Sequence, residues 1–381
     1  MPQMGSFAPD VRNSLEKSPI VSSDSNGKMT PKWVHFMDKK ALGTDHTMKQ
    51  EQEKVRALGL CSGGLDSILS ALVLRRQGVS VSWISFETPF FPPEKAEKAA
   101  SQTGIPLRVE NITVPYLEML KDPHCGYGQH MNPCLDCHAL MFRFAGRIMQ
   151  EEGYDFLFSG EVVGQRPMSQ TKSSLRYVEK NSGFAGYIVR PLSARLLAET
   201  IPEKEGLVDR EQLLDISGRG RKRQIALAEE FGVGEYPAPA GGCLLTDKGY
   251  SRRLRDLFDH QDQFEQWELH LLKYGRHFRL DKATKLVVGR TQAENEKIVH
   301  YQGMGGGVLM KTLHYPGPTG WVSGQPTTPL LTLAAAICAG YSKAPNDFPA
   351  KVALTGAAAA DSLTVIPIPP DEVKRLLITG S

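Results

Sequence analysis

The sequence predicts an α/β protein built on an open, mostly parallel sheet, followed by a second α+β domain. Three observations carry that expectation. Apolar strand-like runs alternate with helix-periodic runs from Val55 to Phe231, a glycine-containing loop joins the first strand directly to the first helix, and the pattern of runs changes after about Phe264. The chain has 381 residues, 41% of them hydrophobic, which is more than one core usually organises. The expected divisions are an N-terminal arm over 1–53, an α/β domain over 54–258, and a linker helix with the second domain over 259–381.

Residues 1–53 are polar and irregular, with a charge-rich approach from Lys39 to Lys54. Asp10, Glu16 and Asp24 interrupt any apolar segment of secretory type, so export is not expected and a cytoplasmic location is. VRALGL from Val55 reads as the first strand. LDSILSALVLRRQG then places Leu65, Leu69, Leu72 and Leu74 on one helix face. VSVSWISFETPF reads as a second strand, EKAEKAASQTG as a helix and PLRVENITV as a third strand. A proline-introduced helix follows over Asn132–Glu152, then the strand YDFLFSGE, a strand near Ile188, a short acidic helix around Glu203 and the helix RKRQIALAEEFG. SRRLRDLFDHQDQFEQWELHLLKYG reads as one long bridging helix, and FRLDKATKLVVGR and VLMKTLHYPGPTGWVSG as strands and loops of a new unit. PLLTLAAAICAGYSKA from Pro329 falls short of the roughly 20 residues that span a bilayer, so it reads as a buried helix and no membrane partner is expected.

Leu60–Ser67 reads LCSGGLDS, two glycines between a buried strand and a helix start. Glycines let backbone N–H groups converge on an anion, and the first helical turn adds unpaired N–H groups and the positive end of its dipole. Ser62 and Ser67 can add hydroxyl donors. An ionised Asp66 cannot donate, so beside a polyphosphate it would hold Mg2+ or orient the turn. No lysine follows the glycines, which excludes the GxxxxGK[ST] loop, and the spacing fails GxGxxG. SGGLDS resembles the SGGxDS loop of the ATP pyrophosphatase (PP-loop) superfamily, whose members share a Rossmann-like adenine-nucleotide α-hydrolase fold, adenylate a substrate oxygen and release pyrophosphate. The resemblance implies ATP and Mg2+, phosphate contacts from Ser62, Gly63, Gly64, Leu65 and Ser67, and a loop and Mg2+ role for Asp66. Phe86, at the end of the second strand, lies where such a sheet presents ligand loops; adenosine contact and burial in the core are its two readings.

Cys134 and Cys137 occur in NPCLDCH, and Cys243 follows in AGGCLLTD beside Gly241 and Gly242. Three thiolates can hold an iron–sulfur cluster with one open iron, whereas four ligands would close a zinc site. NPCLDCH resembles the NPxxxCN segment of tRNA 2-thiouridylases, with Cys137 on the first catalytic cysteine and Cys243 in the role of the later one. Cys134 is extra to that pattern, and a CxxC with a distant cysteine resembles the cluster-dependent tRNA sulfurtransferases. A [4Fe–4S] cluster on Cys134, Cys137 and Cys243, a persulfide cycle on Cys137 and Cys243, and structural zinc or inert thiols all stay open. His124, His130, His138 and Cys125 are reserve ligands. Cys61 and Cys338 read as core.

SGEVVGQRPMSQT and IVRPLSARL resemble segments of tRNA 4-thiouridine synthases. Gly160 would allow close approach of a nucleotide, Gln165, Ser169 and Gln170 would offer neutral hydrogen bonds, and Arg190 either a donor fork or a buried ion pair. From Ser217 to Arg255 there are eight Lys or Arg against four Asp or Glu, a denser balance than the +3 of the whole chain. Arg219, Arg221, Lys222, Arg223, Arg252 and Arg253 are the expected RNA-backbone contacts, with a solvated basic face as the bland alternative. The last 118 residues, from Phe264, resemble the RNA-binding domain of NFACT proteins through LVVGRTQAENE, with Thr291 in place of an asparagine. Together these imply an ATP-dependent tRNA sulfurtransferase that takes tRNA, a sulfur donor such as sulfide or a persulfide carrier, and an optional homodimer partner. A 2-thiouridylase, a PP-loop ligase with zinc, and a non-enzymatic RNA- or ribosome-binding protein are its rivals.

Overall fold

A computed structural model of the chain describes residues 54–237, 243–356 and 361–378; the expected arm over 1–53 and the Gly241–Gly242 turn lie outside the described residues. The first unit alternates β1 (Arg56–Leu60), α1 (Leu65–Arg76), β2 (Ser80–Glu87), α2 (Glu94–Thr103) and β3 (Leu107–Asn111), then α3 (Thr113–Lys121) and α4 (Cys134–Glu152). It continues with β4 (Phe156–Ser159), α5 (Lys172–Ser182), β5 (Ile188–Val189), α6 (Ile201–Lys204), α7 (Lys222–Glu230) and α8 (Lys248–His260). The strands form one parallel sheet in the order β3-β2-β1-β4-β5.

Both faces of this sheet are covered, which is why its strands are almost continuously apolar. β4 sends Phe156 and Phe158 into a core shared with α1, α2 and α7, and Leu157 into one shared with α3, α4 and α8. Strand order reverses direction between β1 and β4, and an open parallel sheet presents its ligand crevice at such a switch, beyond the carboxyl ends of the strands.

α9 (Gln266–Leu271) leads to a second sheet of β6 (Arg276–Arg279), β7 (Lys285–Val288), β8 (Val308–Thr312), β9 (Thr319–Val322), β10 (Ala350–Thr355) and β11 (Ser362–Val365), with α10 (Gln292–Val299) and α11 (Thr328–Gly340) between strands. It is antiparallel, in the order β11-β10-β8-β9-β7-β6. α11 is the helix expected from Pro329, and its run from Ala334 to Ala339 is buried against the sheet. Gly320 permits that close packing, since an added Cβ would sit 2.6 Å from Met310 and 3.2 Å from the Cys338 sulfur. Among the described residues no helix is long and apolar enough to cross a membrane.

Three elements differ from expectation. The third strand stops at Asn111, whose side chain accepts from the Thr113 amide at 3.0 Å and turns the chain into α3; Pro115 is tolerated there because it falls in the first helical turn. α5 is mostly polar and was not expected, but Thr171 caps it by accepting from the Ser174 amide. The long bridging helix is two helices: Gln261 is extended, and a capping box between Glu265 and Glu268 starts α9 afresh.

Candidate functional site

The crevice begins with the loop from Cys61 to Gly64. Gly63 has φ +68°, and a Cβ there would lie 2.1 Å from the Lys95 carbonyl, so only glycine fits. Gly64 precedes α1 and no side chain caps the helix start, which leaves the first-turn amides facing the crevice. Ser62 is exposed at the mouth, Leu65 is buried, and the Ser67 hydroxyl donates to the Gly64 carbonyl at 2.7 Å.

Gly160, at the end of β4, brings a second backbone against this turn; a Cβ on it would lie 2.5 Å from the Asp66 carbonyl carbon and the Ser67 nitrogen. Gln165 donates from Nε2 to Asp66 Oδ2 at 3.0 Å. Asp66 Oδ1 is buried with no hydrogen-bond partner. Burial pushes the Asp66 carboxyl up from its ordinary range, opposed by Gln165, Arg221, Gln224 and Arg166. A carboxylate oxygen buried without a donor is a fitting ligand for a cation.

Crossover helices run antiparallel to the strands they join, so the N-terminus of α4 opens on the same edge of the sheet as that of α1. Its first turn carries Cys134 and Cys137. Cys243 arrives on a separate segment that is docked by the Leu244 amide on the Phe90 carbonyl and by the Met131 amide on the Leu245 carbonyl, each at 3.3 Å. Cys137 is buried, while Cys134 and Cys243 are half-buried. Burial raises all three thiols; Cys243 and Cys134 raise Cys137 further, and Cys243 is pushed up to about 11. Tyr116 is wholly buried, and burial with the neighbouring thiols, Cys137 first, pushes its hydroxyl well above its ordinary range. Among the described residues no group of three or more Cys, His, Asp or Glu side chains is drawn up around a single metal ion. The donor chemistry of Cys134, Cys137 and Cys243, three thiols from two segments, suits an open cluster better than closed four-ligand zinc.

A buried ionic network stiffens the wall between the two loops. Glu161 accepts from Arg190 Nε at 2.9 Å and pairs with His138 Nδ1 at 2.8 Å, and the Ser159 hydroxyl donates to it at 3.1 Å. Arg190 also pairs with Glu179, so it is the buried ion pair of its two expected readings. Burial alone would raise Glu161, but Arg190 and His138 outweigh it and hold the carboxyl down at about 2.

The structure does not bring every expected residue to this edge. Phe86 is buried in the core, its ring 6.2 Å from Phe144. Ser169 and Gln170 are buried, and Gln170 accepts from the Arg166 amide. Arg219, Lys222 and Arg223 are exposed, with Arg223 paired to Asp215; Arg252 and Arg221 are half-buried. Arg253 is buried, its guanidinium lowered by burial and by Arg290. In the second unit Asn295 accepts from the Thr319 amide at 3.0 Å and Arg290 pairs with Glu294. The sequence left Arg166, Tyr116, Glu161 and Gln224 unassigned; Glu161 beside Gly160, Arg166 beside Gln165 and Gln224 beside Arg223 carried a local signal, and Tyr116 carried none.

A family model described as thiamine biosynthesis protein (ThiI) matches residues 51–197, and one described as NFACT protein RNA binding domain matches residues 275–377. A solved 4-thiouridine synthetase–RNA complex with bound ATP aligns at 21% identity and TM-score 0.33, over 47% of this chain and 41% of that one, so the chain spans under half of that enzyme. A predicted subunit of tRNA methyltransferase from Methanocaldococcus jannaschii aligns at 19% identity and TM-score 0.31, over 46% of this chain and 76% of that one. The C-terminal part of the fibronectin/fibrinogen-binding protein from Streptococcus suis aligns at 15% identity and TM-score 0.25, over 64% and 90%.

Proposed function

We propose that this chain, which joins a ThiI-type α/β segment to an NFACT-type RNA-binding segment, is an ATP-dependent tRNA sulfurtransferase of the 4-thiouridine kind, acting in the cytoplasm. One observation carries the reading. The phosphate turn at the start of α1 and the cysteine-bearing start of α4 both follow the carboxyl edge of the parallel sheet, and the Cys243 segment is docked there by the Leu244 amide on the Phe90 carbonyl and the Met131 amide on the Leu245 carbonyl, which supports leaving-group chemistry and soft-sulfur chemistry on one edge.

Uracil needs both. Its carbonyl carbon is a weak electrophile with a poor leaving oxygen, and transfer of AMP to that oxygen makes it a good one. The loop from Ser62 to Gly64 and the first-turn amides of α1 would orient the polyphosphate and stabilise charge on the departing pyrophosphate. Asp66 would hold Mg2+, which when bound neutralises part of that charge. Gly160 and Gln165 hold the turn against the end of β4 and would thereby help position the bound nucleotide. Sulfur delivered at the thiols would then attack the activated carbon, and AMP would leave. Cys134, Cys137 and Cys243 would hold a [4Fe–4S] cluster, which when bound offers a soft open position for sulfide. In a second reading Cys137, buried at the start of α4, would carry a persulfide and Cys243, on the separate segment docked beside that helix start, would resolve it. tRNA would lie along the exposed cations Arg219, Lys222 and Arg223 and the second unit.

The test is anaerobic purification followed by incubation with ATP, Mg2+, sulfide and tRNA, read by nucleoside mass spectrometry. Thiouridine formed only with ATP supports the reading; ATP binding without any thiolated nucleoside, using either sulfide or a persulfide donor, overturns it. Loss of iron together with activity in C134A supports the cluster. Full activity in an iron-free C134A protein assigns the chemistry to Cys137 and Cys243 instead.

A further inference from the structure

The basic run SGRGRKRQ reads in sequence as one stripe for RNA, but the fold divides it. Ser217 forms a parallel bridge with Val163, and the Gly218 amide donates to the Val163 carbonyl at 2.8 Å, so the run starts pinned to the loop that carries Gln165. From there Arg219, Lys222 and Arg223 point to solvent, whereas Arg221 is half-buried and Gln224 has 0% exposure. α7 packs along α1, which brings these two inward side chains toward Asp66.

Their polar atoms are unusual for a folded interior. Gln224 lies near enough to Asp66 to draw its carboxyl down, yet Gln224 Nε2 and Oε1, Arg221 Nε and Asp66 Oδ1 are all buried with no partner at full hydrogen-bond geometry. Buried polar atoms are nearly always satisfied, and four unsatisfied ones converging on one helix start mark a place built for a polar occupant. The occupant's chemistry follows from the donors. Arg221 offers a planar cationic fork, steadied at 5.9 Å over the Tyr236 ring, and Gln224 offers a neutral amide. The helix start they approach also carries the uncapped first-turn amides of α1, and the exposed Ser62 precedes it. Donors from the starts of α1 and α7, with one acid able to take a divalent cation, suit a di- or triphosphate and not a carboxylic acid or a sugar.

We propose that Arg221 and Gln224 form the second wall of the phosphate site, clamping the β- and γ-phosphates of ATP and the pyrophosphate that leaves. The proposal rests on the nucleotide reading of the SGGLDS loop and deepens it. The SGRGRKRQ segment thereby has two duties: its inward residues hold the leaving group and its outward residues face RNA. Occupation of one side would order the turn that presents the other.

The test uses the full chain with two probes, Mg2+–ATP and inorganic pyrophosphate with Mg2+, measured by calorimetry. R221A and Q224L are expected to weaken both by 10-fold or more, R221K to recover part of the loss, and K282A, an exposed charge removal on the second unit, to change neither. Thermal midpoints identify a variant that has lost its fold; Q224L is the exposed risk there and R221A, half in solvent, is not. Wild type that binds both probes with R221A and a folded Q224L within twofold of it overturns this proposal and leaves the nucleotide reading standing. Wild type that binds neither probe overturns the nucleotide reading itself and this proposal with it. Weakening of ATP alone, with pyrophosphate unchanged, also overturns it, because the residues would then be reading another part of the nucleotide.

Discussion

Glu161→Gln is the sharpest perturbation of the wall between the two loops. The side chain is 7% exposed and its partner Arg190 1%, so the pair lies out of water. Holding the Glu161 carboxyl at about 2 against its ordinary 4.5 corresponds to roughly 3 kcal/mol of native-state stabilisation. Breaking a buried pair by removing one charge costs about 3–5 kcal/mol, and here Arg190 would retain Glu179 while its Nη2 is already unpartnered. The two routes agree, so E161Q should be about 3 kcal/mol less stable at pH 7. The sign of the pH dependence follows from the direction of the shift. A depressed carboxyl contributes its full stability above the unfolded value and loses it as pH falls toward the folded value, so the window runs from about 4.5 down to about 2. In that window wild type should lose about 1.4 kcal/mol per pH unit more than E161Q. Urea denaturation at pH 7, 4.5, 4 and 3.5 measures both quantities. A variant within 1 kcal/mol of wild type at pH 7, or a gap that stays constant down to pH 3.5, would refute the reasoning.

Gly160→Ala places a methyl 2.5 Å from backbone that cannot swing aside, so ATP affinity should fall at least 10-fold; an unchanged titration would show that β4 does not have to touch the turn. C137S and C243S should each lower tRNA thiolation by 100-fold or more while ATP affinity stays within threefold, because the thiols belong to α4 and a separate segment. Cys338 is wholly buried under the second sheet, and C338A should retain thiolation at its folded concentration; loss of activity there would place a thiol role outside the crevice. Arg253 is buried, so R253M should leave tRNA affinity within threefold by filter binding, whereas R223A, which removes an exposed charge, should lower it.

The parallel sheet was legible because its cause is local. Strand, glycine turn and helix follow one another in SGGLDS, and the same alternation repeats through β4. What escaped was decided by caps and packing. α3 starts on the Asn111 side chain, α5 on Thr171, and α9 on the Glu265–Glu268 pair, each a single hydrogen bond or two in a stretch whose apolar periodicity is weak. Phe86 illustrates the limit for side chains. Its position at a strand's carboxyl end is compatible with ligand or core, and only the presence of Phe144 on α4 sends it inward.

Sequence alone determined the phosphate loop, because only glycine takes the Gly63 conformation and because a helix start offers amides wherever it occurs. It also determined that the chain holds two architectures, since parallel and antiparallel sheets require different connections. Tertiary structure alone decided the rest of the site. Cys243 is more than a hundred residues from Cys137, and their meeting depends on two backbone hydrogen bonds that no spacing encodes. Arg221 and Arg223 are equivalent as letters; where α7 begins against α1, Arg221 at its cap is left half-buried toward Asp66 while Arg223, within the first turn, is left in water, and only packing against α1 decides which side of the helix start faces the core.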